Sequence, residues 1–282
     1  FLLMVRCWSD SKPMLSVIIV THNSEKLIGR CIESLDQQSL AAARIIIVDS
    51  GSDSPSYLDV YSEKAGYEVH LKDNIGFAAA NNFGLKHIAD TDEYVCLMNP
   101  DTFLEPESFK RSVEIVSGRP GVAVLTGRLK GFDLNSGRPN GLLDSTGIFR
   151  TWYGRWYDRG QGLKNDGKYL IEEEVPAVCG AFMFCKVEAL SKNTPDVFDE
   201  SFFMYKEDID LCLRLRKQGW KMLYAPAVQA FHARGWSQNR KEISYQTRCL
   251  ASKNEIRMNL KHRSPYLIWA LSKYFAVRLL HV

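Results

Sequence analysis

The stretch LSVIIVTHNS, residues 15–24, decides the first element of the fold. Its first seven residues form a continuous apolar run of the length of a strand that is buried on both faces. Asn23 or Ser24 can cap the next segment, in which apolar residues recur at helical spacing over 27–35. The pattern therefore predicts a buried strand followed by an amphipathic helix.

The alternation of buried strand and helix continues to about residue 125. RIIIV at 44–48 and YVCLM at 94–98 are further apolar runs of strand length, and a shorter strand is predicted near 67–71. Residues 76–88 show a helical pattern between the last two strands. Strands that are apolar on both faces and separated by helices form a parallel sheet covered on both sides. The sequence thus predicts an α/β fold with a mostly parallel central sheet.

The second part of the chain has a different character. Residues 127–178 combine glycine, asparagine, arginine and aromatic residues without a clean period, which predicts a functional loop or an excursion of smaller strands. An amphipathic helix is predicted at 208–215, and 221–231 is expected to be extended. Helical patterns at 241–261 and from 265 onward predict a C-terminal helical appendage.

Composition narrows the class of protein. The 282 residues contain 36 Lys and Arg against 33 Asp and Glu, and a net charge of +3 is too small to indicate a nucleic-acid partner. Seven cysteines without a CxxC pair predict small buried side chains in a reducing compartment rather than disulfides or a zinc site. No apolar run reaches the ~18 residues of a spanning helix, and residues 1–5 are too short for a signal peptide. We therefore expect a cytoplasmic protein.

Polar residues follow each apolar run of the first half. Because ligands of open α/β sheets bind beyond the carboxyl ends of the strands, we expect these residues to share one edge. Singly each is explained as a turn former or a helix cap, but together they favour a binding site. Neither a Gly-x-Gly-x-x-Gly fingerprint nor a Walker lysine accounts for them. The residues are Thr21, His22, Asn23, Asp49, Asp53, Asn74, Asn81, Asn82, Asn99 and Asp101.

Asp101 is the best single metal candidate at this edge. A hard cation such as Mg²⁺ needs oxygen ligands, and a carboxylate after a buried strand can hold it against a diphosphate. The alternative is that Asn99-Pro100-Asp101 only closes the strand as a turn. His232, followed by 233–237 (ARGWS), can add a neutral imidazole ligand, donate to the phosphates, or serve as a structural hydrogen-bonding residue.

Three carboxylates stand close together after the aromatic run FFMY, at Glu207, Asp208 and Asp210. They lie at a predicted helix start, where the helix dipole favours carboxylates, so capping is one interpretation. Transfer of a group to a hydroxyl requires a base that takes the proton, and burial raises the proton affinity of a carboxylate. From the chemistry alone, base and cap remain equal alternatives.

These motifs occur in a recognisable order. LSVIIVTHNS, IIIVDSGSD, NIGFAAANNFG, NPD, VCGAFMFCK and FDESFFMYKEDIDLCLRLRKQGW together resemble family 2 glycosyltransferases of the GT-A fold, and most of all their rhamnosyltransferase-like branch. The resemblance extends from about residue 15 to residue 237. It implies a Rossmann-like nucleotide-diphospho-sugar transferase fold and an enzyme that inverts the anomeric carbon in one displacement.

The resemblance also implies roles for individual residues. Asp208 would be the general base, with Glu207 beside it, and Gly180 and Ala181 would shape the sugar pocket. Asp101 and His232 would hold Mg²⁺ or Mn²⁺. The remaining nucleotide-sugar contacts would come from Thr21, Asn23, Asp49 and Asp53 at the nucleoside, and from Asn74, Gly76, Phe77, Asn82 and Asn99 toward the ribose and diphosphate.

Three positions depart from the family's pattern. Asn99 stands where many relatives carry an acidic residue, which puts strict metal dependence in question. His22 stands where a tyrosine is usual. Lys206 stands where a glycine is usual, directly before the carboxylate cluster, and a cation there would favour the ionised base.

The resemblance divides the chain into an N-terminal extension at 1–14, a catalytic domain at 15–238 and a C-terminal helical segment at 239–282. Within the catalytic domain, the nucleotide-binding half would span about 15–126 and the acceptor-side half about 127–238. The tail 265–282 interleaves aromatic and basic residues, which predicts an interfacial helix at the inner face of the cell membrane. Packing on the catalytic domain or against another subunit, as in a homodimer, is the alternative.

The function expected from these features is transfer of a sugar from a dTDP- or UDP-sugar, with dTDP-L-rhamnose preferred, to a hydroxyl of a cell-surface or lipid-linked glycan. Two other functions stay open. A transferase acting on a polyprenyl phosphate would need no base, because its acceptor is already an anion. A non-catalytic sugar-nucleotide-binding scaffold is suggested by the missing carboxylate at Asn99.

Overall fold

Four parallel strands form the first half of the sheet in the computed structural model, which describes residues 14–193, 196–233 and 244–280. They are β1 (Leu15–Thr21), β2 (Arg44–Ser50), β3 (Tyr67–Lys72) and β4 (Tyr94–Met98). Their order is β4-β1-β2-β3, and every residue of β1 and β4 is buried. The bounds predicted for these two strands are confirmed, because an apolar run buried on both faces has few alternatives.

Helices connect these strands. They are α1 (Ile28–Asp36), α2 (Asp59–Ser62), which follows a 3₁₀ turn at Pro55–Leu58, and α3 (Gly76–Leu85). The predicted side-chain cap at Asn23 or Ser24 is wrong, since Leu27 holds the cap position and its N–H donates to the Ser24 carbonyl. α3 ends at Leu85 rather than at the predicted Ile88, because the next two N–H groups bond three residues back and tighten the last turn.

The rest of the described chain completes the sheet and covers it. The strands are β5 (Thr102–Leu104), β6 (Val122–Asp133), β7 (Arg138–Ser145), β8 (Ile148–Arg150), β9 (Trp156–Asp158), β10 (Glu173–Val175), β11 (Phe182–Lys186) and β12 (Lys221–His232). The helices are α4 (Ser108–Ser117), α5 (Val187–Leu190), α6 (Glu207–Lys217), α7 (Tyr245–Lys261) and α8 (Leu267–Leu280), with a 3₁₀ turn at Glu200–Phe202.

Within the described residues, ten strands form one sheet. β11 lies antiparallel between β4 and β6, and β12 runs parallel to β6 on its other side. β10 and β5 pair antiparallel with β12, and β7 pairs antiparallel with β6. The predicted α/β GT-A architecture is therefore confirmed, with a parallel first half and antiparallel strands in the second half.

The region 127–178 is an excursion of smaller strands, one of the two predicted alternatives. β6 continues through it to Asp133 and pairs there with β7, while β8 and β9 form a separate two-stranded hairpin. The first four residues of β7 are exposed. Polar exposed strand residues carry no apolar period, and for that reason the sequence did not reveal these strands.

Five of the six cysteines in the described residues are buried, as predicted, and Cys249 is half-buried; the buried ones are Cys31, Cys96, Cys179, Cys185 and Cys212. Cys7 lies outside the described residues. Among the described helices, none combines the length and the apolar character that a membrane crossing requires. The predicted boundary at 238/239, the helix start at 241 and most of the extension 1–14 also fall outside the described residues.

Candidate active site

The carboxyl ends of β1 and β2 meet at Thr21 and Asp49. The Thr21 hydroxyl donates to Asp49 Oδ1 at 2.9 Å, and the Ser52 N–H donates to Oδ2 at 2.8 Å. The hydroxyls of Ser52 and Tyr57 also reach Oδ1, at 2.5 and 3.3 Å. Asp49 is buried, so its carboxylate fixes the turn after β2. A nucleobase at this position would meet a carboxylate that already accepts four hydrogen bonds.

Asn23 and Asp53 form a reciprocal pair at the surface of the same edge. The Asn23 amide donates to Asp53 Oδ2 at 3.0 Å, and the Asp53 N–H donates to Asn23 Oδ1 at 2.8 Å. Both residues are exposed. They are therefore held in place by each other and remain open to a ligand.

The start of α3 lies beside the turn after β2. The Gly76 N–H donates to Ser50 Oγ at 3.1 Å. Gly76 has a φ of 82°, and a Cβ there would lie 2.7 Å from Cγ and Cε2 of Phe203, so a larger residue would clash. Asn74 is exposed and packs directly against Gly51 in that turn. Both predicted residues thus lie beside the turn after β2, Asn74 exposed and Gly76 buried.

The Asn82 side chain makes its hydrogen bonds to the segment that precedes α6. Its amide donates to the Phe198 carbonyl at 2.8 Å and to Glu200 Oε1 at 3.1 Å, and its oxygen accepts the Phe198 N–H at 2.9 Å. The side chain is buried, and both ends of the amide have protein partners. A direct contact of Asn82 with the ribose or diphosphate does not fit this placement. Asn82 instead ties α3 to the segment that precedes α6.

Asn99 and Ala181 are joined across β4 and β11. The Asn99 N–H donates to the Ala181 carbonyl at 3.1 Å, and the Thr102 hydroxyl donates to the same oxygen at 3.0 Å. A Cβ built on the adjacent Gly180 would lie 3.7 Å from Asp208 Oδ2 and 3.8 Å from the Phe77 ring. The residues predicted to form the sugar pocket are therefore neighbours of the predicted base and of Phe77.

Asp101 and His232 come together at the metal position that the sequence suggested. His232 Nε2 lies 3.2 Å from Asp101 Oδ1, and the Ala233 N–H donates to the Asp101 carbonyl at 2.8 Å. On the other side of the ring, Nδ1 lies 2.8 Å from Asp144 Oδ2. Residues 234–237 of the motif around His232 lie outside the described residues. Asp144, in the sequence Asp-Ser-Thr-Gly, is a functional candidate that the sequence alone did not assign.

The donor set at this position fits a divalent cation. Burial by itself lowers the pKa of His232, but the two carboxylates outweigh it and raise the pKa to about 9, so a cation would replace a proton there. A ligating histidine commonly bonds a carboxylate through its other nitrogen, which is the relation of His232 to Asp144. The described chain contains no group of three or more His, Cys, Asp or Glu arranged for a metal. Asp101 and His232 would thus leave the remaining positions to diphosphate and water.

Asp208 is the second residue of α6 and lies beside Gly180, which the resemblance assigns to the sugar pocket. Its Oδ2 accepts the Gly180 N–H at 3.0 Å, and its Oδ1 accepts the Ile209 N–H at 2.8 Å. Burial raises the pKa of the Asp208 carboxyl, while the Gly180 N–H and the Lys206 ammonium partly offset the rise. A carboxylate with raised proton affinity suits a general base.

Glu207 is buried directly beside Asp208. It is 5% exposed, and Oε2 has no hydrogen-bond partner among the residues that the structure describes. Burial and the adjacent Asp208 carboxylate raise the pKa of Glu207 to about 8. Burial beside Asp208 thus favours the protonated form of Glu207 and limits the negative charge at this position.

The helix-capping alternative does not describe this cluster. The cap position of α6 belongs to Lys206, which has a left-handed φ of 76° and makes no side-chain capping hydrogen bond. Asp210, the third carboxylate, is fully buried on another side of the helix and accepts hydrogen bonds from Arg214, Lys261 and His262 at 2.8–3.0 Å. Although burial opposes it, these donors lower the pKa of Asp210 to about 2. No local pattern indicates these partners, because Lys261 is the last residue of α7 and His262 directly follows it, about 50 positions along the chain from Asp210.

Comparisons with known proteins agree with this architecture. Residues 16–194 match the family model described as Glycosyl transferase family 2. The chain is 25% identical over 235 residues to rhamnosyltransferase WbbL of Escherichia coli (strain K12), covering 78% of the chain and 83% of that protein. It is 23% identical over 248 residues to an N-acetylglucosaminyl-diphospho-decaprenol L-rhamnosyltransferase of Mycobacterium tuberculosis (strain CDC 1551 / Oshkosh), covering 82% of the chain and 80% of that protein.

Solved structures show the same fold at low identity. GalNAc-T7 with UDP, GalNAc and Mn²⁺ superposes with a TM-score of 0.66 at 16% identity over 88% of the chain, which spans 48% of that protein. Mannosyltransferase PcManGT from Pyrobaculum calidifontis, in complex with GDP-Man and Mn²⁺, gives a TM-score of 0.61 at 16% identity and covers 95% of the chain and 74% of that protein. At such identity the likeness is evidence of the fold alone.

Proposed function

This chain belongs to glycosyl transferase family 2, and on that premise we propose that it transfers L-rhamnose from dTDP-L-rhamnose to a hydroxyl of a cell-surface or lipid-linked glycan. The nucleotide-sugar glycosyltransferase class follows from the family. The sugar is inferred from two relatives that are named rhamnosyltransferases and that align with most of the chain. The contact of Asp208 with Gly180, beside Phe77, is the observation that carries the proposal.

Asp208 serves as the general base in this proposal. The acceptor oxygen attacks the anomeric carbon, the bond from that carbon to the diphosphate breaks, and the hydroxyl proton passes to Asp208. The N–H groups of Gly180 and Ile209 hold the carboxylate in one orientation. The raised pKa of Glu207 limits the negative charge beside Asp208. One displacement of this kind inverts the anomeric configuration.

Asp101 and His232 are the residues that would hold Mg²⁺ or Mn²⁺. When bound, the ion supplies positive charge that stabilises the departing diphosphate. Asp144 fixes the orientation of the His232 ring through Nδ1. Asn23, Asp53, Asn74 and Asn99 are the partly or fully exposed polar residues that remain available to the nucleotide.

Calorimetry with a panel of sugar nucleotides tests the donor assignment. Titrations would be made with Mg²⁺, with Mn²⁺ and with EDTA, on the wild type and on Asp101→Ala, with the exposed Asp59→Asn as control. We expect metal-dependent binding of dTDP-L-rhamnose that is lost only in Asp101→Ala. Binding of a UDP-sugar instead would change the donor, and failure of every nucleotide to bind would contradict the transferase proposal.

The C-terminal helices carry the features of a membrane-surface contact. Ile268, Leu271, Phe275 and Leu279 form an exposed row on α8, at the i, i+3, i+7 and i+11 positions of one helical face. Residues 245–282 contain seven Lys and Arg against one Glu, which complements an anionic lipid surface. This arrangement suits an enzyme whose acceptor is lipid-linked and which sits at the inner face of the cell membrane.

A second exposed side chain extends the same surface. Trp152, at the tip of the β8–β9 hairpin, is 86% exposed. The adjacent Tyr153 packs edge-to-face on Trp269 of α8, with ring centroids 4.9 Å apart. Indole rings favour the membrane interface, so Trp152 would enter it together with α8. The apolar row and Trp152 are called the α8 surface below.

Vesicle co-sedimentation tests this part of the proposal. The wild type is expected to bind vesicles that contain anionic phospholipid more strongly than neutral vesicles, and Phe275→Ser and Ile268→Ser should each reduce binding. Val60→Ser, which changes an exposed valine on α2, is the matched control. Equal binding by all variants would exclude the α8 surface as the contact. The predicted homodimer is tested in the same preparations by light scattering, where a monomer mass would exclude it.

A further inference from the structure

The loop that leads into the base helix has an unusual backbone. Phe203, Tyr205 and Lys206 have φ values of 60°, 74° and 76°, in the left-handed region that favours glycine. Strained backbone of this kind persists only where its surroundings fix it, and it is found at functional sites. The segment 203–206 runs directly into the first turn of α6, where Asp208 lies.

Asn254 of α7 holds this segment from the C-terminal side. Its amide nitrogen donates to the carbonyl oxygens of Phe202, Met204 and Tyr205 at 2.7, 2.8 and 3.0 Å. Asn254 is 0% exposed, and its own oxygen accepts a hydrogen bond from Arg257 at 2.6 Å. One buried side chain thus donates to three of the four carbonyl groups at 202–205.

On its other side, the loop is held by the start of α3, at the edge of the sheet where the nucleotide sugar is proposed to bind. The Phe203 carbonyl accepts the Ala78 N–H at 3.0 Å, which joins the loop to the first turn of α3. Below the loop, Asp210 of α6 bonds Lys261 and His262 at the end of α7, at 3.0 and 2.8 Å. The base helix is therefore tied to α7 both before and after Asp208.

We propose that Asn254 is a positioning residue for catalysis. It keeps the left-handed segment 203–206 in the one arrangement that sets Asp208 against the Gly180 N–H. This inference rests on the proposed role of Asp208 as the base. An amide is required at position 254 because three carbonyls need a donor, and a carboxylate there would oppose them with lone pairs. The C-terminal helices thus contribute to the chemistry as well as to the α8 surface.

Substitution of Asn254 by aspartate or alanine tests the proposal. Asn254→Asp and Asn254→Ala should lower kcat for sugar transfer by about 10- to 100-fold, because a small displacement of the base is costly. The donor Kd measured by calorimetry should change by less than about 3-fold, since Asn254 does not line the nucleotide edge. Asn259→Asp is the matched control, because this asparagine is also buried on α7 but donates only to the Glu255 carbonyl at 2.7 Å.

A second variant keeps the test independent of folding. Arg257 is exposed, so Arg257→Ala should fold normally while releasing the Asn254 oxygen. Arg257→Ala is expected to lower kcat as Asn254→Ala does, but by a smaller factor. In an Asp208→Asn background, Asn254→Ala should add little further loss, because both changes act on one base.

The possible results separate this inference from the proposed function. If Asn254→Ala and Arg257→Ala keep the kcat of the Asn259→Asp control while Asp208→Asn is inactive, the positioning role is wrong and the base assignment stands. An additive loss in the double variant would also overturn it. If Asp208→Asn transfers sugar at the wild-type rate, the proposed function itself fails, whatever the Asn254 variants do.

Discussion

Asp144 Oδ2 lies 2.8 Å from Nδ1 of His232, on the opposite side of the imidazole from Asp101. The contact joins the end of β7 to the end of β12, two strands that flank β6. It leaves Nε2 as the ring nitrogen directed at Asp101. The β7 excursion, which carried no clear pattern in the sequence, therefore supplies the residue that orients the histidine of the candidate metal site.

Loss of the Asp144 carboxylate should weaken metal binding. Asp144→Asn is expected to lower the affinity for Mn²⁺ by about 10- to 100-fold, because outer carboxylates fix the orientation and basicity of a ligating histidine. Titration of Mn²⁺ in the presence of nucleotide, followed by electron paramagnetic resonance of the free ion, measures this. Asp133→Asn at the exposed end of β6 is the control. An unchanged Mn²⁺ affinity in Asp144→Asn would remove Asp144 from the site.

The raised pKa of Glu207 predicts a pH-dependent stability. Its pKa is about 8 in the folded chain against an ordinary value of 4.5, so the folded state holds the proton more tightly. The stabilising contribution is complete below pH 4.5 and is lost as the pH rises through 8. Urea unfolding at pH 6 and pH 8.5 should show a smaller decline in Glu207→Gln than in the wild type. Glu114→Gln, on the exposed side of α4, should keep the wild-type decline.

The lowered pKa of Asp210 predicts the opposite pH dependence of folding stability, with a loss at acid pH. Its pKa of about 2, against an ordinary value of 3.8, corresponds to about 2 kcal/mol of folding free energy. This contribution is present above pH 3.8 and is lost as the pH falls through 2. Asp210→Asn should unfold more easily at pH 7 by about 2 kcal/mol, because it removes the carboxylate that Arg214, Lys261 and His262 share.

A surface ion pair provides the comparison for Asp210. Asp36→Asn breaks an exposed pair with Lys64 and should cost at most about 1 kcal/mol. Chemical denaturation at pH 7 compares the two variants. If Asp210→Asn were no less stable than Asp36→Asn, the contacts of Asp210 between α6 and the end of α7 would add no more to the free energy of unfolding than a surface ion pair.

Gly76 should tolerate no side chain. Gly76→Ala combines a φ of 82° with a clash against the Phe203 ring, and we expect a loss of about 1–3 kcal/mol together with weaker nucleotide binding. Gly121→Ala is the control, because a Cβ there would meet nothing within 4 Å. Thermal unfolding and nucleotide titration of both variants measure the difference. Equal stability of the two would show that the Gly76 backbone can relax.

The sequence predicted those parts of the fold that depend on local pattern. β1 and β4 have the predicted bounds because their apolar runs are buried throughout. Thr21 and Asp49 come together because parallel strands end at one edge. Asp101 and His232 were paired through the family resemblance, and the contact between them follows from the antiparallel pairing of β5 with β12.

Contacts between distant segments could not be predicted from the sequence. Asn82 looked like a ligand residue, but its amide is taken by Phe198, 116 positions away. Asn254 and Asp210 have partners in distant segments, at 202–205 and at 261–262, that no local period indicates. In each case a polar side chain is buried, and which carbonyl or cation satisfies it depends on how the helices pack.

The rate of sugar transfer by Asp208→Asn is the direct test of Asp208 as the general base. The assay follows transfer of labelled sugar from the donor selected by calorimetry to lipid-linked glycan, with Asp59→Asn as the exposed control. General-base catalysis predicts a loss of about 10²- to 10⁴-fold in kcat, with donor binding retained. Transfer at the wild-type rate by Asp208→Asn would contradict the account and would favour an acceptor that is already an anion, such as a polyprenyl phosphate.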